Sequence, residues 1–315
     1  MYLGIEIGGT KLQLGVGTGD EPRLIALERR DIDAARGAAG IREQILEAGR
    51  LLLDRHDIQR IGIGFGGPVF GDRGLVQTSH QISGWDQFPL ADWCREQLGK
   101  PAALGNDCDV AALAEACFGA GRDRHSLFYV TVGTGIGGGF VQNRRIHGTN
   151  RPAAAEIGHL RPGLDCTDPH DTIESRAAGP AIAAAVQKIL ADSATSPDHK
   201  DLFARCGGNS SQLTTRHIAE AANAGNSLAI DAYHQAARVL GWGLAQMTTL
   251  LAPEVVVVGG GVSLAGDDVF FNPLRAAMAE YAFRPLLDSA TVVPAALGEE
   301  VVVHGAVALA RESNG

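Results

Sequence analysis

Two glycine-dense stretches, Glu6-Ile7-Gly8-Gly9-Thr10-Lys11 and Gly133-Thr134-Gly135-Ile136-Gly137-Gly138-Gly139, each follow a short apolar run, Tyr2–Ile7 and Leu127–Val132. Glycine gives the backbone left-handed conformations and close approach to a ligand. Successive peptide N–H groups in such turns form anion cradles. Together, two cradles suit two ends of one polyphosphate, and hence nucleotide-dependent phosphoryl transfer. Taken singly, each is equally a β-hairpin turn. Neither fits the phosphate loop of nucleoside triphosphatases, because Leu12 follows Lys11 at the wrong spacing. Neither opens a helix, as the dinucleotide fingerprint requires.

Between them lies Gly105-Asn106-Asp107, ahead of a helical pattern. A carboxylate there can accept the proton of an attacking sugar hydroxyl, and phosphoryl transfer needs mainly positioning and charge neutralisation. Asn106 carries both a donor and an acceptor for a neighbouring hydroxyl. Asn and Asp are also favoured helix caps, so a purely structural reading stays open. Glu156-Ile157-Gly158-His159 and, after a loop, Glu174 supply carboxylates and an imidazole suited to a polyol. They are equally readable as solvated loop charges and a hydrogen-bonded histidine.

The elements that position these residues alternate. Tyr2–Ile7 and Leu12–Val16 read as a hairpin around Gly8-Gly9, with Leu24–Glu28 as a third strand. Ile41, Ile45, Leu52 and Leu53 mark an amphipathic helix, and Ile61–Phe65 a buried strand ending in Gly66-Gly67-Pro68. Val110, Leu113, Ala114, Cys117 and Phe118 follow helical spacing, with Asp107 or Asp109 placed to cap the start. A second cycle opens with Leu127–Val132 and Gly139–Gln142, followed by a loop-rich section from Arg144 to Thr172. Helices are expected at Ala177–Asp192 and Leu228–Leu251, the latter stopped by Pro253. An apolar strand, Glu254–Val258, runs into Gly259-Gly260-Gly261, and a small-residue helix, Val301–Arg311, closes the chain. Each half begins strand, glycine turn, strand, so an internal duplication is expected. The boundary is placed near Gly119-Ala120-Gly121: a smaller domain over 1–118, a larger one over 119–299, and the helix of about 300–315 packing back on the first.

At 315 residues the chain can hold two cores. A net charge of −9 without a basic cluster argues against a nucleic-acid surface. No apolar run is long enough for a membrane helix, and a strand pattern starting at Tyr2 leads us to expect no cleavable signal peptide. Five widely spaced cysteines (Cys94, Cys108, Cys117, Cys166 and Cys206) read as reduced thiols of a cytoplasmic protein, with Cys108 and Cys117 as small core residues.

The ordered set Glu6-Ile-Gly-Gly-Thr-Lys11, Gly62-Ile-Gly-Phe-Gly-Gly-Pro68, Asn106-Asp107, Gly133-Thr-Gly-Ile-Gly-Gly-Gly139, Glu156-Ile-Gly-His159, Glu174 with Ala178-Gly179, and Val257-Val-Gly-Gly-Gly-Val-Ser263 resembles the ROK family (repressors, open reading frames, kinases), in its bacterial sugar kinase branch. The likeness covers nearly the whole chain. It implies an α/β, actin-like and hexokinase-like fold: two ribonuclease-H-like domains with a cleft between them. It further implies that ATP lies against Gly8, Gly9, Thr10 and Lys11 and against Gly133, Thr134, Gly135, Gly137 and Gly138. Gly259, Gly260 and Gly261 would lie near the adenosine. Asp107 would be the catalytic base and a sugar ligand. Asn106, Glu156, His159 and Glu174 would hold the sugar, with Gly66 and Gly67 lining its pocket. Glu6 stands where the family usually has Asp, and would act on Mg²⁺ through water.

The resemblance also implies a zinc site built on a Cys-x-Cys-Gly-x-x-Gly-Cys run after the Glu-Ile-Gly-His motif. Here Asp165, Thr167 and Thr172 stand at the three cysteine positions, so that site does not form and zinc is expected to be absent. Cys166 and His170 beside His159 are the residues left for any other metal geometry. The implied activity is an ATP- and Mg²⁺-dependent hexose kinase acting on glucose at its 6-hydroxyl. Fructose, mannose, allose, N-acetylglucosamine and N-acetylmannosamine are the alternative substrates. A non-catalytic sugar sensor is another reading. A DNA-binding repressor of the same family is disfavoured by the acidic charge and by a chain that opens on its first strand. A homodimer is expected by analogy with relatives, with no membrane or nucleic-acid partner.

Overall fold

The computed structural model describes residues 1–79, 81–191, 196–287 and 289–313. β1 (Tyr2–Ile7), β2 (Lys11–Gly17) and β3 (Leu24–Asp31) form an antiparallel meander. α1 (Gly37–Arg55) leads to β4 (Arg60–Phe65), which pairs parallel with β1. A short hairpin, β5 (Val69–Phe70) with β6 (Leu75–Val76), and α2 (Leu90–Leu98) precede β7 (Ala102–Asn106), which lies parallel to β4. α3 (Asp107–Cys117) starts at the next residue.

The cycle then repeats with β8 (Ser126–Val132), β9 (Ile136–Gln142) and β10 (Arg145–Ile146). Five helices follow: α4 (Ile173–Ala177), α5 (Gly179–Ala191), α6 (Pro197–Arg205), α7 (Thr215–Asn223) and α8 (Ser227–Leu251). β11 (Val255–Gly259), α9 (Asn272–Tyr281), β12 (Thr291–Pro294) and α10 (Val301–Glu312) complete the chain. The two large sheets are ordered β3-β2-β1-β4-β7 and β10-β9-β8-β11-β12. Numbered along the chain within each sheet, both read 3-2-1-4-5, so the expected duplication exists in the topology.

Contact density gives two compact units. One comprises Met1–Tyr129, Gly139–Ala155 and Ala295–Gly315; the other comprises Val130–Gly138 and Glu156–Pro294. In the first unit Leu3, Ile5, Leu12, Leu14, Ile41, Ile45, Ile61 and Ile63 are buried in one core. α10 lies directly on this sheet, since a Cβ at Gly62 would stand 1.9 Å from the Ala306 carbonyl oxygen. Glu115, fully buried on α3, accepts the N–H groups of Ala120 at 2.8 Å, Ala296 at 2.8 Å and Leu297 at 3.0 Å. That carboxylate ties the chain after α3 to the segment that brings it back into α10. The second unit buries β11 completely, as its run of valines requires, together with Phe270, Tyr233 and Leu240.

Three sequence expectations are corrected. The cap of α3 is Asn106, not Asp107 or Asp109: its Oδ1 accepts from Cys108 N at 2.8 Å and Asp109 N at 3.4 Å. The helix expected over Ala177–Asp192 is two helices, α4 and α5. Ala178 is extended between them (φ −69°, ψ 160°), which seats Gly179 against the Gly133 carbonyl at 2.8 Å. Asp192 lies outside the described residues, as do the last two residues of the expected 300–315 helix. Cys108 and Cys117 are half-exposed, whereas Cys94 and Cys206 are buried, and none of the five cysteines forms a disulfide with a described residue.

Candidate active site

In the first unit β1, β4 and β7 run parallel side by side, so their C-terminal ends deliver Glu6, Phe65-Gly66-Gly67 and Asn106-Asp107 to one edge. Antiparallel register sets Gln13 of β2 opposite Glu6, and its Nε2 donates to Glu6 Oε2 at 2.7 Å. Lys11 Nζ stands 3.6 Å from Glu6 Oε1. Burial pushes the Glu6 carboxyl above its ordinary pKa; Lys11 opposes that rise, and Asp107 adds to it. Glu6 and Asp107 therefore sense each other's charge. Gly8 donates its N–H to the Lys11 carbonyl at 3.0 Å, closing the first glycine turn, and Thr10 is exposed at its tip.

Asp107 occupies the first turn of α3, where the helix N-terminus favours negative charge. Its Oδ1 accepts the Cys108 N–H at 2.9 Å. Its Oδ2 lies 3.4 Å from where a Cβ on Gly66 would be, so a side chain at residue 66 would crowd the carboxylate. Burial is the largest influence on Asp107 and raises its pKa; hydrogen bonds from Cys108 and Asn106 hold the rise back. A carboxylate with raised basicity is what a general base near neutral pH needs. Asn106 braces the neighbouring turn as well as capping the helix, with Nδ2 donating to the Gly67 carbonyl at 3.0 Å.

In the second unit the turn Gly133-Thr134-Gly135 joins β8 to β9 and closes with a Gly133 N–H to Gly135 carbonyl bond of 2.9 Å. Gly137 and Gly138 are strand residues of β9, so only part of the expected second cradle is a turn. Glu174, on α4, accepts the Ile136 N–H at 2.7 Å through Oε2. A Cβ on Gly135 would come within 2.6 Å of that oxygen. The Glu156–His159 turn packs against the backbone of the same residue, since a Cβ on Gly158 would meet the Ile136 carbonyl oxygen at 2.1 Å. Ile136 thus gathers Glu174 and the Glu156-Ile157-Gly158-His159 turn. His159 itself is exposed.

Gly133, Thr134 and Gly261 line one cavity of about 1050 Å³, together with Gly179, Thr215 and Leu264. A Cβ on Gly133 or Gly261 would meet nothing within 4 Å, so both backbones face open space. Gly259 ends β11, and Gly260 makes the turn at φ +88° against the Val132 backbone. The cavity suits a nucleoside in size and in its mostly apolar lining.

Among the described residues no group of three or more His, Cys, Asp and Glu side chains converges as a metal site. The loop from Leu160 to Ala177, where the zinc ligands would stand, is closed by other bonds. Arg176 pairs with Asp171 and holds its carboxyl below the usual range. Cys166 Sγ donates to the Pro162 carbonyl at 3.3 Å, and Thr172 forms a reciprocal capping box with Ser175. Sequence reasoning missed Gln13, whose signal was a lone polar residue in an apolar strand opposite Glu6. It also missed Gln81, whose side chain occupies the space a Cβ on Gly9 would need, and the cavity wall given by Thr214 and Thr215.

Residues 2–313 match the ROK family. The chain belongs to the ROK family. It is 31% identical to a glucokinase of Streptomyces coelicolor, with 99% of this chain and 98% of that protein covered. The fold is similar to a ROK glucokinase from Streptomyces griseus solved with glucose and AMPPNP (TM-score 0.80, 31% identity, 99% of both chains). A ROK hexokinase from Thermus thermophilus is similar too, at TM-score 0.78 and 30% identity over 98% of this chain and 97% of that one. These likenesses bear out the actin-like, hexokinase-like α/β class. No described helix is long and apolar enough to cross a membrane.

Proposed function

We propose that this ROK protein is a sugar kinase that moves the γ-phosphoryl group of ATP onto a hexose, with the 6-hydroxyl of glucose as acceptor. The observation that carries the reading is Asp107: a carboxylate of raised basicity at a helix N-terminus, beside a glycine that leaves room for a hydroxyl. Full-length similarity to a glucokinase bound to glucose and an ATP analogue supports the substrate pair.

Asp107 accepts the hydroxyl proton as the sugar oxygen bonds to the γ-phosphorus. The bond from that phosphorus to the β–γ bridging oxygen breaks, and ADP departs. Gly66 and Gly67 line the sugar site, and Asn106, Glu156, His159 and Glu174 bind its hydroxyls. The α3 cap, the Gly67 carbonyl and the Asp107 carboxylate all engage the Asn106 amide, which fixes its orientation at the sugar site. Glu174 likewise keeps one oxygen for the sugar while the other holds the glycine turn. Gly8, Gly9, Thr10 and Lys11 hold the triphosphate with Gly133, Thr134, Gly135, Gly137 and Gly138, and Gly259, Gly260 and Gly261 attend the adenosine.

The donor set fits Mg²⁺ bound chiefly by phosphate oxygens. Magnesium takes one or two protein carboxylates and keeps several waters. Glu6, whose oxygens already meet Gln13 and Lys11, suits a contact through water. When bound, the ion neutralises phosphate charge. The loop that lacks zinc-ligand thiols does not fit zinc. A homodimer in the cytoplasm belongs to the same proposal.

The test is ADP release over a panel of hexoses and N-acetyl hexosamines, with and without Mg²⁺. Turnover fastest on glucose is expected. Turnover on another panel sugar would move the substrate assignment, and silence across the panel with tight sugar binding by calorimetry would refute the kinase reading.

A further inference from the structure

The first unit holds a second cavity, of about 580 Å³, built by none of the residues assigned above. Its basic side chains are Arg144, Arg145 and Arg311, and its acidic ones are Asp20 and Glu312. Asp20 is already spent: its Oδ1 meets Arg311 Nη2 at 2.7 Å. Arg311 also donates to the Gly19 carbonyl. Glu312 Oε1 accepts the Cys117 thiol at 3.8 Å. Burial raises the Glu312 pKa, while Arg144, Arg311 and Arg145 each oppose that rise, so all three guanidiniums bear on one point.

Arg144 and Arg145 make no ion pair or side-chain hydrogen bond to any described residue. They sit at the tip of the β9–β10 hairpin, whose connecting residues Asn143 and Arg144 both have positive φ, +51° and +59°. Such two-residue turns favour Asn followed by Gly. Arg144, in the second place, holds a left-handed conformation that suits glycine better, and it lines the cavity.

We propose that this cavity binds the phosphoryl group of a small phosphate monoester or free orthophosphate, with Arg144 and Arg145 as its principal ligands and Arg311 fixed behind them. Planar guanidiniums with paired donors match phosphate oxygens, and Arg is the residue of choice for such groups. The volume fits a sugar-sized molecule.

Calorimetry on the full chain, at low ionic strength, tests this with two ligands in separate titrations: glucose 6-phosphate and inorganic phosphate. The comparison protein carries Arg144→Gly with Arg145→Ala. Glycine suits the positive φ, so the variant is expected to melt no lower than the parent and to keep its ADP-release activity. Wild type is expected to show a saturable site whose affinity falls at least tenfold in the variant. Binding that is lost in the variant for the ester alone identifies a monoester; equal loss for both ligands identifies the phosphoryl group as the whole determinant. Identical isotherms for wild type and a folded variant, or no binding to either ligand at millimolar concentration, would overturn the proposal. Loss of sugar phosphorylation in the panel assay would leave this result unaffected.

Discussion

Glu174 Oε2 accepts the backbone N–H of Ile136 at 2.7 Å, so a side chain proposed to hold the sugar also fixes the glycine turn between β8 and β9. Substrate binding and turn geometry are thereby joined in one residue. Glu174→Ala leaves the Ile136 N–H without its partner and is expected to cost about 1–3 kcal/mol in urea unfolding, along with weaker sugar binding. Glu174→Gln keeps an acceptor oxygen. Its stability is expected to stay within about 1 kcal/mol of wild type while KM for the sugar rises. Equal destabilisation by both substitutions would mean that the charge, and not the acceptor, holds the turn.

Asp107 is expected to weaken the fold that carries it. Its pKa in the folded chain is raised above the ordinary 3.8, so the folded state holds more protons than the unfolded state between those values. Stability is then full below about pH 3.8 and declines as pH rises through the folded-state pKa. Asp107→Asn should therefore be more stable than wild type at neutral pH and lose that advantage near pH 3.5 (roughly the foot of the aspartate range). Urea titrations at several pH values check this. A variant less stable at pH 7 would contradict it.

Glu6 tests the metal end. Glu6→Gln retains an acceptor for Gln13 but drops the charge paired with Lys11. The Mg²⁺ concentration giving half-maximal ADP release is expected to rise severalfold, with sugar KM unchanged. An unaltered Mg²⁺ dependence would remove Glu6 from that role.

Much of the site was legible because its chemistry is local in sequence. Glycine turns after apolar strands announced β1–β2 and β8–β9, and Asn106-Asp107 announced a helix start. The choice of cap was not legible, because Asn106, Asp107 and Asp109 are all good capping residues. Only the path of β7 into α3 selects Asn106. Partnership across long separations was hidden too. Nothing in the apolar pattern of α3 says that Glu115 answers Ala296 and Leu297, since that bond closes only when α10 returns to the sheet. The break at Ala178 did have a local signal, Gly179-Pro180, since proline is tolerated only in the first turn of a helix and α5 starts at Gly179, whose N–H bonds the Gly133 carbonyl.

Glu115 gives a prediction of its own. Its buried carboxylate accepts three backbone N–H groups, and Glu115→Gln would point an amide donor at one or more of them. A loss of about 2–3 kcal/mol in unfolding free energy is expected, read by urea denaturation. A change below about 0.5 kcal/mol would show that those donors find other acceptors.

The most direct measurement is steady-state ADP release by Asp107→Asn with saturating ATP, Mg²⁺ and the best hexose of the panel. Loss of a general base is expected to lower kcat by about 10²–10⁴ while sugar KM stays within a few-fold of wild type. An unchanged kcat would contradict the assignment of residue 107 as the group that takes the hydroxyl proton.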